Sequence, residues 1–594
     1  MGTGVAPVRF DGKDLYRPGY YGKRNVSGLD VAAASGSRLL LIGECKGGIP
    51  FNASTQYPNA EDRINWVSNT NEINSILRDG AAYYGALFAL NPSAQAGVNG
   101  APYVGVIRVN KATRSSLTIQ DVDTDDVLDV YSKDYGLYTN QIRFQVSAGT
   151  TKGKKISVKF ETTTVEKDDI TEEVLSVQYT GTGSACAMTL DPAGNLVMTT
   201  TGGAAGDDVT IDLTTYTTAA ELVAYLNAYQ NTGGTNVYSA TLLGDGSFLT
   251  SQLDKIVAGD SVDVKTSYTI KAILQACLDW FNNSSEYLTA ELTSGGERRV
   301  PANMTGYEYI TGGAEGATPV TQDYTDAMSQ VTALTDASFV GVMTGEAAVH
   351  AALSTHLQEM SASTGRNERQ GCVGPADGQT KAQKIAAAAA LNDSLAGFFG
   401  TEIKRYDKNG DLQTWDGFYG ACEIMGMSAG NAINFAPTNK MINAVAVKEV
   451  LSNSDIDDYI KGGVMIAQPS PLGGIRVVRS VTTYQASNII LNEWSAMRTA
   501  LYITKDHRTY VEALIGEPGD NTVLESLKNR AQLRLEYYVD QGWFVVDPDL
   551  GNAYRNFQFV VEGDVVKISY EGTLVVPVNF ILVTHNFTVV GFKK

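Results

Sequence analysis

Arg38-Leu-Leu-Leu-Ile-Gly43 is a continuous apolar run closed by glycine, the pattern of a short strand buried on both faces. Tyr103-Val-Gly-Val-Ile-Arg-Val109 and Phe339-Val-Gly-Val-Met343 repeat it. Between the first two, the stretch 64–90 holds Ile73, Ile76 and Leu77 at helical spacing, which predicts a helix. After the third, Val349, Leu353, Leu357 and Met360 line one helix face, and 381–394 is an Ala-rich helix. Strand, helix, strand in this order predicts an α/β unit. The segment that interrupts it reads differently. Ile142–Val146, Ile156–Phe160, Leu175–Tyr179 and Val209–Leu213 alternate with period two, as half-buried strands do. Thr218-Ala-Ala-Glu221 is a capping box opening one short helix over Leu222, Val223 and Leu226.

Outside these segments the chain predicts helices near 493–503 and 523–541. In the latter Leu524, Leu527, Ala531, Leu535 and Tyr538 fall on one stripe. It closes on alternating strands, Val566, Ile568 and Tyr570 and then Val576, Val578, Phe580 and Leu582. Arg17-Pro18-Gly19-Tyr20-Tyr21 reads as an extended arm, because proline pushes the residue before it towards extended geometry. The expected fold class is a multidomain α+β and α/β chain: a mixed-sheet α/β core, a β-rich inserted domain and extended terminal strand arms. The expected divisions are an N-terminal arm 1–25, a discontinuous α/β domain 26–112 and 305–400, and the insert 113–304. A C-terminal α/β domain 401–572 and a strand arm 573–594 complete the chain.

The 594 residues suit about four domains. With 43% hydrophobic and 19% charged residues the chain is globular rather than disordered. Its net charge of −19 repels phosphate backbones, so nucleic acid is not an expected partner. No apolar run approaches the ~18 residues of a membrane span, and the first residues show no secretory signal. Five scattered cysteines, none spaced C-x-x-C, predict buried free thiols in a reducing compartment.

Chemistry signals are sparse. Gly426-Met-Ser428-Ala-Gly430 fits G-x-S-x-G, with His507 and His585 downstream, and would make Ser428 a hydrolase nucleophile. The residues before it make a poor strand, however, and the string is small and helix-compatible, so close packing is the expected role. His350 and His356, six apart, lie about 120° apart around a helix and share no face. The Asp407–Asp411 stretch starts like a calcium loop but has Leu412 and Phe418 at the sixth and twelfth positions, so Asn409-Gly410 reads as a hairpin turn. Asp121, Asp123, Asp125 and Asp126 read as a solvated acidic loop. No phosphate-binding glycine motif occurs. No cofactor, no metal site and no catalysis are expected.

In several places the chain resembles the contractile tail sheath proteins of bacteriophages, relatives of pyocin and type VI secretion sheaths. Arg17–Tyr21 is similar to that family's Ser-Pro-Gly-Val-Tyr-Val-like start. Tyr309-Ile-Thr-Gly-Gly-Ala-Glu-Gly316 followed by Asp323-Tyr-Thr-Asp-Ala-Met328 resembles its Gly-Gly-x-Asp-Gly and Asp-Trp-x-x-Ala-Leu segment, with Glu315 for the usual Asp. Asp134–Ile142 resembles its Gly-x-Trp-Gly-Asn-x-Ile strand entry, and Gly462-Gly-Val464, Ile475–Thr483 and the end of the chain from Phe544 extend the likeness. The resemblance implies a structural subunit, stacked with itself as hexameric rings in a helical tube around an inner tail tube. It implies contraction that drives that tube through the host envelope. Expected partners are the inner tube, baseplate and tail terminator proteins, with no membrane insertion. Expected localisation is the virion tail sheath, assembled in the host bacterial cytoplasm. Strand arms joining neighbours are expected at Pro18, Gly19, Tyr20 and Tyr21 and at Val576, Val578, Phe580 and Leu582. A helix facing the tube is expected at 523–541, through Lys528, Arg530 and Arg534. A passive surface array or adhesin, and a serine hydrolase using Ser428, are the alternatives.

Overall fold

The computed structural model describes residues 38–587 except 513, 550 and 564, together with the backbone of 8–10 and 13–15. The described chain divides into two compact units. One comprises 49–110 and 318–587 with the run up to Cys45, the other Lys111–Ala317 with Lys46–Gly48.

The first unit is built on the three apolar runs. They form β1 (Arg38–Gly43), β3 (Val104–Arg108) and β4 (Ala337–Val342), joined by β2 (Asn65–Val67). The sheet order is β4-β1-β3-β2, with β4, β1 and β3 parallel and β2 antiparallel at the edge. Leu39, Leu40, Leu41 and Ile42 are all fully buried, because helices cover both faces as a parallel sheet requires. On one face lie α1 (Ala81–Leu90) and α5 (Gly417–Gly430). On the other lie α2 (Thr321–Gln330), α3 (Ala347–Ser361) and α4 (Lys381–Leu391). Val349, Leu353, Leu357 and Met360 are the buried stripe of α3. Residues on both sides of position 400 share these two cores.

The stretch 64–90, expected to contain a helix at Ile73, Ile76 and Leu77, holds two helical pieces. Thr70–Leu77 ends in a π turn, Arg78 takes φ 65°, and α1 starts only after Gly80 at φ 106°. A Cβ at Gly80 would lie 2.9 Å from the Cys45 Cα, so the break lets the chain cross against the end of β1. Three further elements close this unit: α6 (Trp494–Glu512), α7 (Asn521–Asp540) and the hairpin β5 (Tyr554–Glu562) with β6 (Val565–Gly572).

The second unit is β-rich and has two cores. Strands Arg143–Ala148, Lys154–Phe160 and Thr163–Ile170 surround one of them with the sheet of 116–120, 126–132 and 288–292 and the helix Ile273–Asn283. The other gathers strands Glu173–Tyr179, Ala185–Leu190, Asn195–Thr201 and Val209–Asp212 with the helix Ala219–Ala228. The capping box forms: Thr218 Oγ1 accepts from the Glu221 N–H at 3.3 Å, and Glu221 Oε2 from the Thr218 N–H at 3.0 Å. The ends of this unit are tied together, Thr113 N–H donating to Ala314 O at 2.9 Å. All five cysteines are buried, and no disulfide joins them among the described residues.

Candidate assembly surface

The G-x-S-x-G string lies inside α5, not on a strand-to-helix elbow. Ser428 is fully buried, and its Oγ donates to Ile424 O at 2.8 Å while accepting the Trp494 indole N–H at 2.9 Å. A Cβ on Gly426 would fall on the carbonyl of Ala89 in α1, and one on Gly430 on the carbonyl of Gly100. The small residues let two backbones touch, which is the packing role. His507 instead packs on Tyr538 and Tyr570, and His585 on Phe587. The other singled-out groups are equally occupied. His350 Nε2 pairs with Thr344 O at 2.8 Å, and His356 Nε2 faces Arg369 Nη1 at 3.0 Å. Asp407 Oδ1 accepts from the N–H groups of Asn409 and Asp411 in a hairpin turn between 403–406 and 412–415. Arg299 closes the acidic loop by pairing with Asp121, Asp123 and Asp260. Among the described residues no group of three His, Cys, Asp or Glu could hold a metal, and no helix is long and apolar enough to cross a membrane.

The C-terminal elements are arranged around an aromatic knot. Tyr538 of α7 stacks on Trp543 with centroids 5.6 Å apart, and Phe544 meets Tyr538 and the Tyr570 of β6. This knot holds the hairpin on α7. Asp520 caps α7 by accepting from the Thr522 and Val523 N–H groups. Arg534, one turn beyond Arg530, makes a bidentate pair with Asp506 of α6 at 2.5 and 2.6 Å, and Tyr538 donates to the same carboxylate at 2.7 Å. That hydrogen bonding pushes the Arg534 pKa up and, with burial, that of Tyr538. Arg534, expected on the tube-facing helix, thus has an acidic partner within the chain. Lys528 and Arg530 are half-buried, Arg530 lying 6.0 Å over the Tyr510 ring.

The terminal segment departs from expectation. Val576, Val578, Phe580 and Leu582 belong to no strand; after β6, Leu574 bridges Phe544 and the Val575 N–H donates to Trp543 O at 3.1 Å, and residues 576–587 carry no strand assignment. Strand structure needs a ladder partner, and none is offered by the described residues. Val578, Phe580, Ile581 and Leu582 are 80%, 75%, 83% and 94% exposed, and Val576 is half-buried. Asn579 anchors the segment by donating to Glu493 at 3.1 Å, and Arg479 lies 5.7 Å over the Phe580 ring. Pro18, Gly19, Tyr20 and Tyr21 lie outside the described residues. Sequence reasoning missed an apolar groove of about 600 Å³ lined by Ile515, Leu524, Leu527, Val561 and Val566. Its signal was present: Leu524 and Leu527 continue the α7 stripe past the point where the core covers it.

With this geometry in place, the fold has solved counterparts. It aligns with a sheath tail protein of Listeria innocua over 92% of this chain and 96% of that one, at TM-score 0.54 and 11% identity. A sheath tail protein of Desulfitobacterium hafniense aligns over 93% and 98%, at TM-score 0.50 and 11% identity. Residues 317–483, which contain β4 and α2 to α5, match the phage tail sheath protein central domain. By central domain and fold the chain is similar to phage tail sheath proteins. The tail sheath protein of Bacillus phage SP01 is 25% identical to it, over 98% of this chain and 97% of that one.

Proposed function

We propose that the chain is the structural subunit of a contractile phage tail sheath, stacked as hexameric rings in a helical tube around an inner tail tube. Contraction of that tube drives the inner tube through the host envelope. The observation that carries this reading is the sheath central domain at 317–483, within a chain similar to a phage tail sheath protein over nearly its whole length. Further support comes from unsatisfied surface. The β5–β6 hairpin is a two-stranded sheet with two open edges, and the segment after it exposes a run of large apolar side chains. Open edges and loose apolar strands are the parts from which strand addition between copies is made. The arms at Pro18–Tyr21 and Val576–Leu582 would join neighbouring subunits, and Lys528 and Arg530 would face an acidic tube. Energy for contraction would come from the difference in packing between two lattice states, summed over many copies. Baseplate and terminator proteins would bound the tube, which would be assembled in the bacterial cytoplasm.

Negative-stain electron microscopy of the purified protein at rising concentration and salt tests this. Hollow striated cylinders are the expected outcome; dispersed particles at every concentration, with or without an added tube protein, would overturn the reading.

A further inference from the structure

The β-rich unit contains an open cleft of about 760 Å³ that the assembly reading does not use. Its walls are the turn after strand Ala185–Leu190, the loop after strand Val209–Asp212, the segment 249–255 and the loop 295–298. Leu213 and Leu249 give it apolar surface, and Thr214, Thr217 and Ser251 line it with hydroxyl-bearing side chains. Gly194 and Gly295 leave open space where a side chain would stand.

Two cations, Lys255 and Arg298, share this cleft, drawn together by a hydrogen bond from Lys255 N–H to Arg298 O at 2.6 Å. Their placement is unusual for this chain. Residues 111–317 carry 27 Asp and Glu against 14 Lys and Arg, and no Lys or Arg occurs between Lys167 and Lys255. Burial lowers the pKa of Lys255; the Arg298 charge adds to that, while Asp191 and Glu297 oppose it. Burial likewise lowers that of Arg298. Arg298 donates to Gln275 Oε1 at 2.6 Å, yet its Nε–H is buried with no acceptor among the described residues. Glu297 also lines the cleft, and Asp254 and Asp279 act on Arg298 against burial, so the two partly desolvated cations are only partly offset and still gain from an incoming anion. The hydroxyls and the leucine surface suit the polar rim and apolar face of a sugar ring, and the volume is of ligand-pocket size. The acidity of the surrounding unit opposes a long polyanion such as nucleic acid.

We propose that this cleft binds an acidic saccharide, with Lys255 and Arg298 on the carboxylate or phosphate ester and Thr214, Thr217 and Ser251 on ring hydroxyls. The inference rests on the cleft alone and stands apart from the sheath reading. It is tested by calorimetric titration of the full chain with a glucuronate-containing tetrasaccharide, with glucose 6-phosphate and with the neutral cellotetraose. Saturable binding of the uronate, the phosphate or both is expected, and which one binds identifies the acid group. Cellotetraose should bind at least tenfold more weakly. K255Q and R298Q should each lose at least tenfold in affinity. Should either variant fail to fold, S251W, which fills the cleft from an exposed position, should abolish binding with an unchanged melting temperature. Absence of saturable binding to both acidic probes, equal binding of cellotetraose, or full binding by S251W would overturn the proposal.

Discussion

Ser428 shows how one residue can carry a catalytic pattern and a structural duty. Its hydroxyl is used twice, towards Ile424 O and the Trp494 indole, with the Trp494 ring fully buried. S428A should leave that indole N–H without a partner and cost about 1–3 kcal/mol in urea unfolding. G426V, which drives a side chain into the α1 backbone, should cost about 3 kcal/mol. His356 makes a pH prediction. Burial first, and then the charge of Arg369, lower its pKa from 6.5 to about 4, so the folded protein holds it neutral as the acceptor for Arg369. Its contribution to stability is full above about pH 6.5 and is lost as pH falls through about 4, because the unfolded chain takes up the proton first. At 1.36 kcal/mol per pKa unit this is up to roughly 3 kcal/mol. Urea midpoints at pH 7 and pH 4.5 should converge in H356Q relative to the unsubstituted chain; an unchanged pH dependence would refute the assignment.

At the scale of elements, α7 divides its duties between residues that look alike in sequence. Arg534 holds α7 to α6 through Asp506, both side chains being less than a quarter exposed. R534Q should therefore cost about 1–3 kcal/mol of subunit stability, since it leaves a partly buried carboxylate without its cation and with only the Tyr538 hydroxyl on it. K528Q and R530Q should stay within about 0.5 kcal/mol in the same unfolding measurement and alter only the concentration needed for tube formation. Equal destabilisation by all three would show that the helix faces no partner. The stripe Ala531, Leu535 and Tyr538 was legible from period alone, and so was the sheet-facing side of α3. The pairing of Arg534 was not, because Asp506 lies 28 residues earlier and meets it only when the two helices pack. The break at Gly80 was equally hidden: its apolar neighbours keep helical spacing on both sides of a close backbone crossing.

Over the whole molecule, the proposed tube depends on surface that the single subunit leaves unfilled. Truncation after Pro577 removes the exposed apolar residues but none of the aromatic knot. The truncated subunit should melt within a few degrees of the full chain and fail to form cylinders by electron microscopy. Tubes from the truncated chain would refute the C-terminal arm. Because Thr113 and Ala314 are hydrogen-bonded, the β-rich unit can be excised there and closed with a short Gly-Ser linker. The remaining unit should fold and still form cylinders; an unfolded product would show that the insert is needed for the core.

The sequence by itself determined the buried strands, the β-rich insert, the period of the main helices and the sheath resemblance. Those are properties of local pattern, apolar runs and turn residues, and they hold wherever the segments finally sit. Tertiary structure alone decided which groups the Ser428 hydroxyl bonds, which arginine is taken within the chain and where two cations share a cleft. It also decided that the residues after Gly572 form no strand, although Val576, Val578, Phe580 and Leu582 alternate like one. Alternation fixes which side chains could share a face, but a strand exists only where another backbone completes its hydrogen bonds. For these residues the described chain offers no such backbone.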